Sequence, residues 1–400
     1  MRFYEFESKR VLAKHGVAVP RGAVAKTGAD AERISGELGG AVVLKPQHLF
    51  HGKTSAGSER LASGAAEAKR VTDELLGTAV AGRQPNGVLV EQQLAAATSW
   101  ALAFTYDGVA KLPVMMASDM GGHVVDDLLQ AHPDRVKRRH FSALLPLSDY
   151  RAKELVSSLG LKGSDLTRLT GIVARLADVF LRYDLTTLDI RSLARQEDGS
   201  FVALDVTMDM EIEGRRRQKA LLDELGIAAT DPRTPRDPTP FEVEAAIIDK
   251  EDPRGVAGPV VEFDGNIGLV IGAGGGSLTT FDAIRKHGGK PANYAALGGN
   301  PSVGKARRLT KLVLSKPGVE KIAVISNVVS NTRADLVARG VIKGVLELGF
   351  EPKDKITVFR VPGAWEADAQ KILKKYGIEF CDRSVSISEA AKRAVQKIGR

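Results

Sequence analysis

Residues 261–280, Val-Glu-Phe-Asp-Gly-Asn-Ile-Gly-Leu-Val-Ile-Gly-Ala-Gly-Gly-Gly-Ser-Leu-Thr-Thr, limit the possible folds more than any other stretch. An apolar strand, expected over 266–271, runs into the glycines of 272–276, and an amphipathic helix, expected over 277–287, follows at once. Glycines let a backbone approach a ligand closely. The helix behind them offers unpaired N–H groups and the positive end of its dipole to an anion. The alternation then repeats. Strands are expected at 293–297, 321–327, 356–361 and 378–381, and helices at 302–315, 332–348, 364–375 and 386–398. Such strand–helix spacing predicts an α/β unit with a doubly wound parallel sheet covered on both faces.

This regular half begins after Asp231–Pro240, which holds four prolines in ten residues and reads as a linker. The boundaries expected on this basis are a first domain over 1–228, a connecting segment over 229–255 and a second domain over 256–400. Within the first domain, helices are expected at 3–15, 32–38, 65–76, near 150–159 and at 164–183. Strands are expected at 41–45 and 87–91, with shorter ones between Trp100 and Met116. Thr187–Ile190 and Phe201–Asp205 flank the polar turn Gln196–Gly199 and read as a hairpin with an acid near each outer end.

Four hundred residues exceed one compact domain. The lone cysteine, Cys381, excludes an internal disulfide framework; in its apolar run it reads as a buried thiol, and it suits a cytoplasmic location. No apolar run is long enough for a membrane span, and the charged N-terminus is no secretory signal. The net charge of +8 is spread among acids, with short basic clusters at Arg215–Arg217 and 136–140. That pattern favours solvated helix faces or nucleotide phosphates over nucleic acid.

Several residues are candidates for chemistry. Lys45 ends an apolar strand and enters a polar loop containing Gly52 and Lys53, where lysines either pair with phosphates or are simply solvated. The order of residues is not a Walker A motif. Glu91 ends a strand and, on its own, reads as an ordinary strand-end acid. Asp189 and Asp205 are the hairpin acids. Ser330, Asn331 and Thr332 follow the third strand of the second half, at the ligand edge of a doubly wound sheet, where Ser330 or Asn331 also suits a helix cap. Arg360 ends the next strand and either pairs with a carboxylate or is solvated. His287, at a helix end, reads as structural.

The glycine turn together with Lys286–Asn300, Lys-His-Gly-Gly-Lys-Pro-Ala-Asn-Tyr-Ala-Ala-Leu-Gly-Gly-Asn, closely resembles the CoA-ligase half of succinyl-CoA synthetase β subunits. Leu44–Leu49 and Gly52–Lys53 resemble the phosphate-gripping segment of the ATP-grasp domain in that superfamily, nearer to its ATP-citrate lyase branch. The resemblance implies an N-terminal ATP-grasp domain followed by a flavodoxin-like CoA-ligase domain. It implies an ADP-forming acid–CoA ligase that uses ATP, Mg²⁺ and CoA, acts on succinate or a more polar acid such as citrate, and belongs to central carboxylate metabolism. The phosphohistidine and the CoA site would belong to a partner α subunit.

By resemblance, Lys45, Gly52 and Lys53 hold phosphates and Glu91 holds the base. Ser99 stands where a glutamate usually holds the ribose, and His51 where an arginine is usual. Met116–Asp126 resembles a turn that covers the nucleotide. Asp205 matches the metal-binding aspartate. Asp189 stands where a glutamate faces the phosphohistidine, and Arg191 where an asparagine ligates the metal. Asp209 and Glu211 lie close enough in sequence to be substitute ligands. In the second half, Gly272, Gly274, Gly275 and Ser277 match the helix start that faces the phosphohistidine. Ser330, Asn331, Thr332 and Arg360 match positions around the substrate carboxylate. The departures at His51, Ser99 and Arg191 also fit a regulatory subunit without turnover.

Overall fold

Two units, Met1–Arg236 and Asp237–Arg400, divide the computed structural model. It describes all residues except 50–58, 81, 96–97, 146, 229–230, 235 and 399–400. Gly52 and Lys53, and with them His51, lie outside the described residues.

In chain order the first unit contains α1 (Glu5–Lys14), β1 (Gly22–Ala25), α2 (Gly28–Leu38), β2 (Val42–Pro46), β3 (Arg60–Ala62), α3 (Ala65–Gly77), β4 (Val88–Gln92), β5 (Thr98–Asp107) and β6 (Leu112–Ser118). It continues with α4 (Val125–Ala131), β7 (Val136–His140), α5 (Asp149–Ser157), α6 (Gly163–Arg182), β8 (Leu185–Arg195), β9 (Phe201–Met210) and α7 (Lys219–Glu224). One antiparallel sheet has the order β1-β4-β2-β3, and the other β7-β6-β5-β8-β9. The period of two along a strand explains how the second sheet is covered. Trp100, Leu102 and Phe104 of β5 enter the large core with α1, α5 and α6, while Ala101 and Ala103 enter a smaller one with Val125 and Leu128 of α4. Along α6, Leu169, Ile172, Val173, Leu176 and Phe180 recur at helical spacing and are all buried in the large core. The helix α2 starts at a Thr27–Asp30 capping box and stops at Gly39, whose φ of 68° suits glycine.

The second unit contains α8 (Pro240–Glu251), β10 (Val256–Glu262), β11 (Ile267–Gly272), α9 (Gly275–Lys286), β12 (Asn293–Gly298), α10 (Val303–Ser315) and β13 (Lys321–Ile325). Then come α11 (Ala334–Glu347), α12 (Pro352–Lys355), β14 (Ile356–Arg360), α13 (Glu366–Lys375) and α14 (Ile387–Gln396). The sheet order is β10-β12-β11-β13-β14. Strands β11 to β14 are parallel, and β10 runs antiparallel along the edge of β12. Apolar side chains of α10, α11 and α13 cover one face, and those of α9 and α14 cover the other. This is the doubly wound order of flavodoxin-like folds with one antiparallel edge strand.

Two of the differences from the sequence expectation lie at 378–381 and within 229–255. The segment 378–381 contributes only an isolated bridge, Phe359 to Phe380, where a full strand was expected. Within 229–255 lies the helix α8, because Thr239 caps it with Glu242 in a capping box and Pro240 takes the first helical position. Lys305, fully buried, fixes that helix to the unit: its ammonium group donates to Asp249 Oδ1 and to the Gly255 carbonyl, each at 2.8 Å. Cys381 is buried, and burial raises its thiol pKa. No helix among the described residues is long and apolar enough to cross a membrane.

Candidate functional site

In the first unit β2 and β4 pair antiparallel, so that Lys45 lies opposite Leu89 and Val43 opposite Glu91. Both charged side chains are buried, and α1 brings two more to them. Lys9 donates to both carboxylate oxygens of Glu91, at 2.7 and 2.6 Å, and lies 2.8 Å from Glu5. Lys45 donates to Glu5 at 2.9 Å and lies 3.6 Å from Glu91. Burial works against the charge on Lys45, but Glu5, Asp205 and Glu91 outweigh it and raise its pKa. Burial likewise disfavours the Glu5 carboxylate, yet Lys45 and Lys9 overcome it and hold its pKa at about 2. For Glu91 burial wins over Lys9 and Lys45 and pushes the pKa up. The sequence offers Lys45 and Glu91 as candidates and does not single out Glu5 and Lys9. Their one signal was the spacing of four along a helix, which also marks a solvated ion pair.

Two β-bulges in the hairpin shape the neighbouring side of this cluster. Ile190 pairs with Val206 and Ser192 with Asp205, so Arg191 has no partner across the ladder. Leu193 pairs with Ala203, so Leu204 has none either. Bulges re-aim side chains and free backbone groups. The Leu204 carbonyl accepts from Lys45 at 2.6 Å and from Lys9 at 2.8 Å. Arg191 Nη2 donates to Asp205 Oδ1 at 2.5 Å. Burial opposes the Arg191 charge, but Asp205 outweighs it and raises the pKa. The Gly121–Gly122 turn closes on this region: Gly122 N–H donates to the Arg191 carbonyl at 2.7 Å, and a Cβ on Gly121 would lie 1.9 Å from Ser99 Oγ. Ser99 is thus half-buried beneath the turn. His123, beyond it, is exposed.

This donor set does not fit a chain-held Mg²⁺. Mg²⁺ takes one or two carboxylates completed by water and phosphate oxygens, and Asp205, the carboxylate at this place, already carries a guanidinium that repels a second cation. Asp209 is four residues further along β9, about 13 Å at strand rise, and pairs with Arg2 at 3.4 Å. Glu211 accepts from the Ile212 N–H at 2.9 Å. Neither is a substitute ligand. Among the described residues no group of three His, Cys, Asp or Glu side chains is placed to hold a metal.

Asp189 is buried, and its Oδ1 has no hydrogen-bond partner. Burial pushes its pKa up to about 7, opposed by Arg191 and helped by Asp126 and Asp205. An unfolded aspartate ionises near 3.9. Between about 3.9 and 7 the folded chain therefore holds a proton that the unfolded chain has released. The stability contributed by this group is complete below about pH 3.9 and lost as pH rises through 7, on the order of 4 kcal/mol in all. Asp189→Asn is expected to be more stable than the parent at about pH 8 and to remove this slope, as read from urea midpoints across the range.

In the second unit the strands end at one edge. A Cβ on Gly272 would lie 2.1 Å from Ser326 Oγ, so β11 and β13 approach there as only glycine allows. Gly274, with φ of 86°, precedes α9, whose first turn holds Gly275. Ser277 is fully buried. Its hydroxyl donates to the Gly274 carbonyl at 2.5 Å and lies 2.6 Å from the Tyr294 hydroxyl, so it braces the turn from inside. Ser330 and Asn331 are exposed at the edge. Thr332 is buried and accepts from the Asn300 N–H at 3.2 Å. Arg360 is buried, and its guanidinium donates to the carbonyls of Ser326 and Val385. Burial lowers its pKa. Thr332 and Arg360 therefore support the edge, while Ser330 and Asn331 face outward. His287 Nε2 lies 3.0 Å from Ser388 Oγ at the end of α9, a structural position.

The loops after β13 and β14 are joined by backbone hydrogen bonds. Val329 N–H donates to the Pro362 carbonyl at 2.8 Å, Ala364 N–H to Val329 at 3.0 Å, and Ala334 N–H to Ala364 at 3.0 Å. A Cβ on Gly363, where φ is 123°, would lie 2.1 Å from the Val329 carbonyl oxygen. Trp365, at φ 60°, is a non-glycine residue in left-handed geometry. Its ring lies 3.8 Å from the Arg333 guanidinium, which Asp335 holds by two hydrogen bonds at 3.0 and 2.8 Å. The sequence reading missed Trp365.

Residues 2–195 match the family model of an ATP-grasp domain. The succinate–CoA ligase [ADP-forming] subunit beta of Methanothermobacter thermautotrophicus is 31% identical over 397 residues, covering 99% of each chain. Subunit beta 1 of the same ligase from Archaeoglobus fulgidus is 31% identical over 406 residues and covers 100% of each. Among solved structures, the ATP citrate lyase from Methanothrix soehngenii, in complex with citrate and coenzyme A, superposes with a TM-score of 0.63 at 18% identity and 99% coverage of both chains. At that identity the likeness concerns the fold alone.

Proposed function

The chain belongs to the family of ADP-forming succinate–CoA ligase β subunits, and from that premise we propose that it is the nucleotide-handling β subunit of an ADP-forming carboxylate–CoA ligase. ATP binds in the first unit, with Lys45 on its phosphates and Glu91 near its base. Lys53 and Gly52 belong to the same phosphate segment. The γ-phosphoryl group passes to a histidine of a partner α subunit, and ADP leaves. At the carboxyl edge of the second unit the phosphoryl group then passes to the acid. CoA thiolate displaces phosphate from the acyl phosphate, giving acyl-CoA and inorganic phosphate. The N–H groups at Gly274–Gly275 and the α9 dipole stabilise anionic oxygens on the way. No step is assigned to a magnesium ion held by this chain. The lone buried thiol suits a reducing compartment, and we place the enzyme in the cytoplasm.

The observation that carries this reading is the ATP-grasp match over residues 2–195 together with the full-length likeness, at 31% identity, to ADP-forming succinate–CoA ligase β subunits. Exposed Ser330 and Asn331 favour an acid with a hydroxyl group over succinate. The test combines the chain with its α partner, ATP, CoA and a panel of dicarboxylic, hydroxylated and tricarboxylic acids, and follows ADP release. Acid-dependent release supports the ligase, and the preferred acid identifies the substrate. Absence of release with every acid, with the α subunit still bound, points to a regulatory subunit instead.

A further inference from the structure

The bulge at Arg191 aims a cation at the place where a metal would be expected. Its guanidinium is buried to about the same degree as Asp205, the two side chains being 16% and 15% exposed. One nitrogen holds Asp205, and the buried Nε has no hydrogen-bond partner. An unsatisfied buried donor calls for an acceptor. A planar guanidinium fork matches phosphate oxygens in two-point geometry. A divalent ion at Asp205 would share that carboxylate with the guanidinium at close range, and the like charges would repel in a part-buried site. Lys45, tied to the same hairpin through the Leu204 carbonyl, supplies a second fixed cation within electrostatic reach of Asp205.

We propose that Arg191, fixed by Asp205, supplies the nucleotide phosphates with the positive charge that a chain-held divalent cation would otherwise provide, so that this chain binds a nucleoside diphosphate without needing Mg²⁺. The inference rests on the nucleotide reading given above, and its test separates the two. The full chain is titrated calorimetrically with ADP in excess magnesium chloride and again in excess EDTA. The expected Kd values agree within about threefold. Arg191→Asn is expected to weaken binding in EDTA by at least about tenfold, with magnesium restoring most of the loss. Arg191→Lys, which keeps the charge, is expected to stay insensitive to the metal. A tenfold or larger loss of wild-type affinity in EDTA overturns the proposal, and so does unchanged metal-free binding by a folded Arg191→Asn. If the wild type binds ADP in neither condition, the nucleotide reading falls and this proposal with it. The wild-type comparison decides even if the variants do not fold.

Discussion

Replacing Lys9 with alanine is expected to destabilise the first unit by about 3–5 kcal/mol, the usual cost of leaving a buried charge without its partner. The ammonium group is 4% exposed and Glu91 3%. Lys9 also donates to the Leu204 carbonyl, so its removal unties α1 from both the β4 strand and the hairpin. The chain has two tryptophans. Trp100 lies in the first unit, packed 5.6 Å from Phe201, and Trp365 in the second. In a Trp365→Phe background, urea unfolding followed by Trp100 fluorescence therefore reports the first unit of the full chain. A shift below about 1 kcal/mol means that Lys9 behaves like a surface pair. The double variant Lys9→Met with Glu91→Leu should recover much of the loss, because an apolar pair of similar volume carries no desolvation penalty.

The second large effect concerns the ligand. Lys45→Ala is expected to weaken ADP binding by about two to three orders of magnitude, since truncating one member of a buried charge pair costs about 2–5 kcal/mol. Calorimetry on the folded fraction measures it. Loss of Lys45 also leaves Glu5 with Lys9 as its one remaining cation in the cluster, so the Glu5 pKa should rise from about 2. Binding within threefold of wild type would remove Lys45 from the phosphate site.

The fold was legible wherever periodicity and punctuation agreed. The helix after the glycine turn, the strand at 293–298 and the helices α10, α11 and α13 each lie within a few residues of expectation, because apolar spacing and Gly or Pro stops specify them locally. The edge strand β10 was not legible: Val256–Glu262 contains Pro259 and pairs on one side only. Short strands such as β1 and β3 carry too few residues for a period to appear.

Of the candidate site, the sequence singles out Lys45 and Glu91 near strand ends and does not single out the residues that pair with them. Lys9 and Glu5 become partners of those residues only once α1 packs, which no local pattern announces. The bulges at Arg191 and Leu204 are properties of strand register, set by three strands at once. Arg360 and Ser277 looked like ligand groups because their residue types suit the role; burial and hydrogen bonds to backbone carbonyls place them behind the surface instead.

The stitching of the β13 and β14 loops has an evolutionary corollary. Backbone-to-backbone bonds hold the edge whatever side chains it displays, while glycine is obligatory at position 363. Exchanges at Ser330 or Asn331, both exposed, therefore change the groups the rim displays without loosening the frame beneath it. On the proposed function, a change of acid specificity would need only a few outward-facing exchanges, a short mutational path that leaves thermostability nearly untouched.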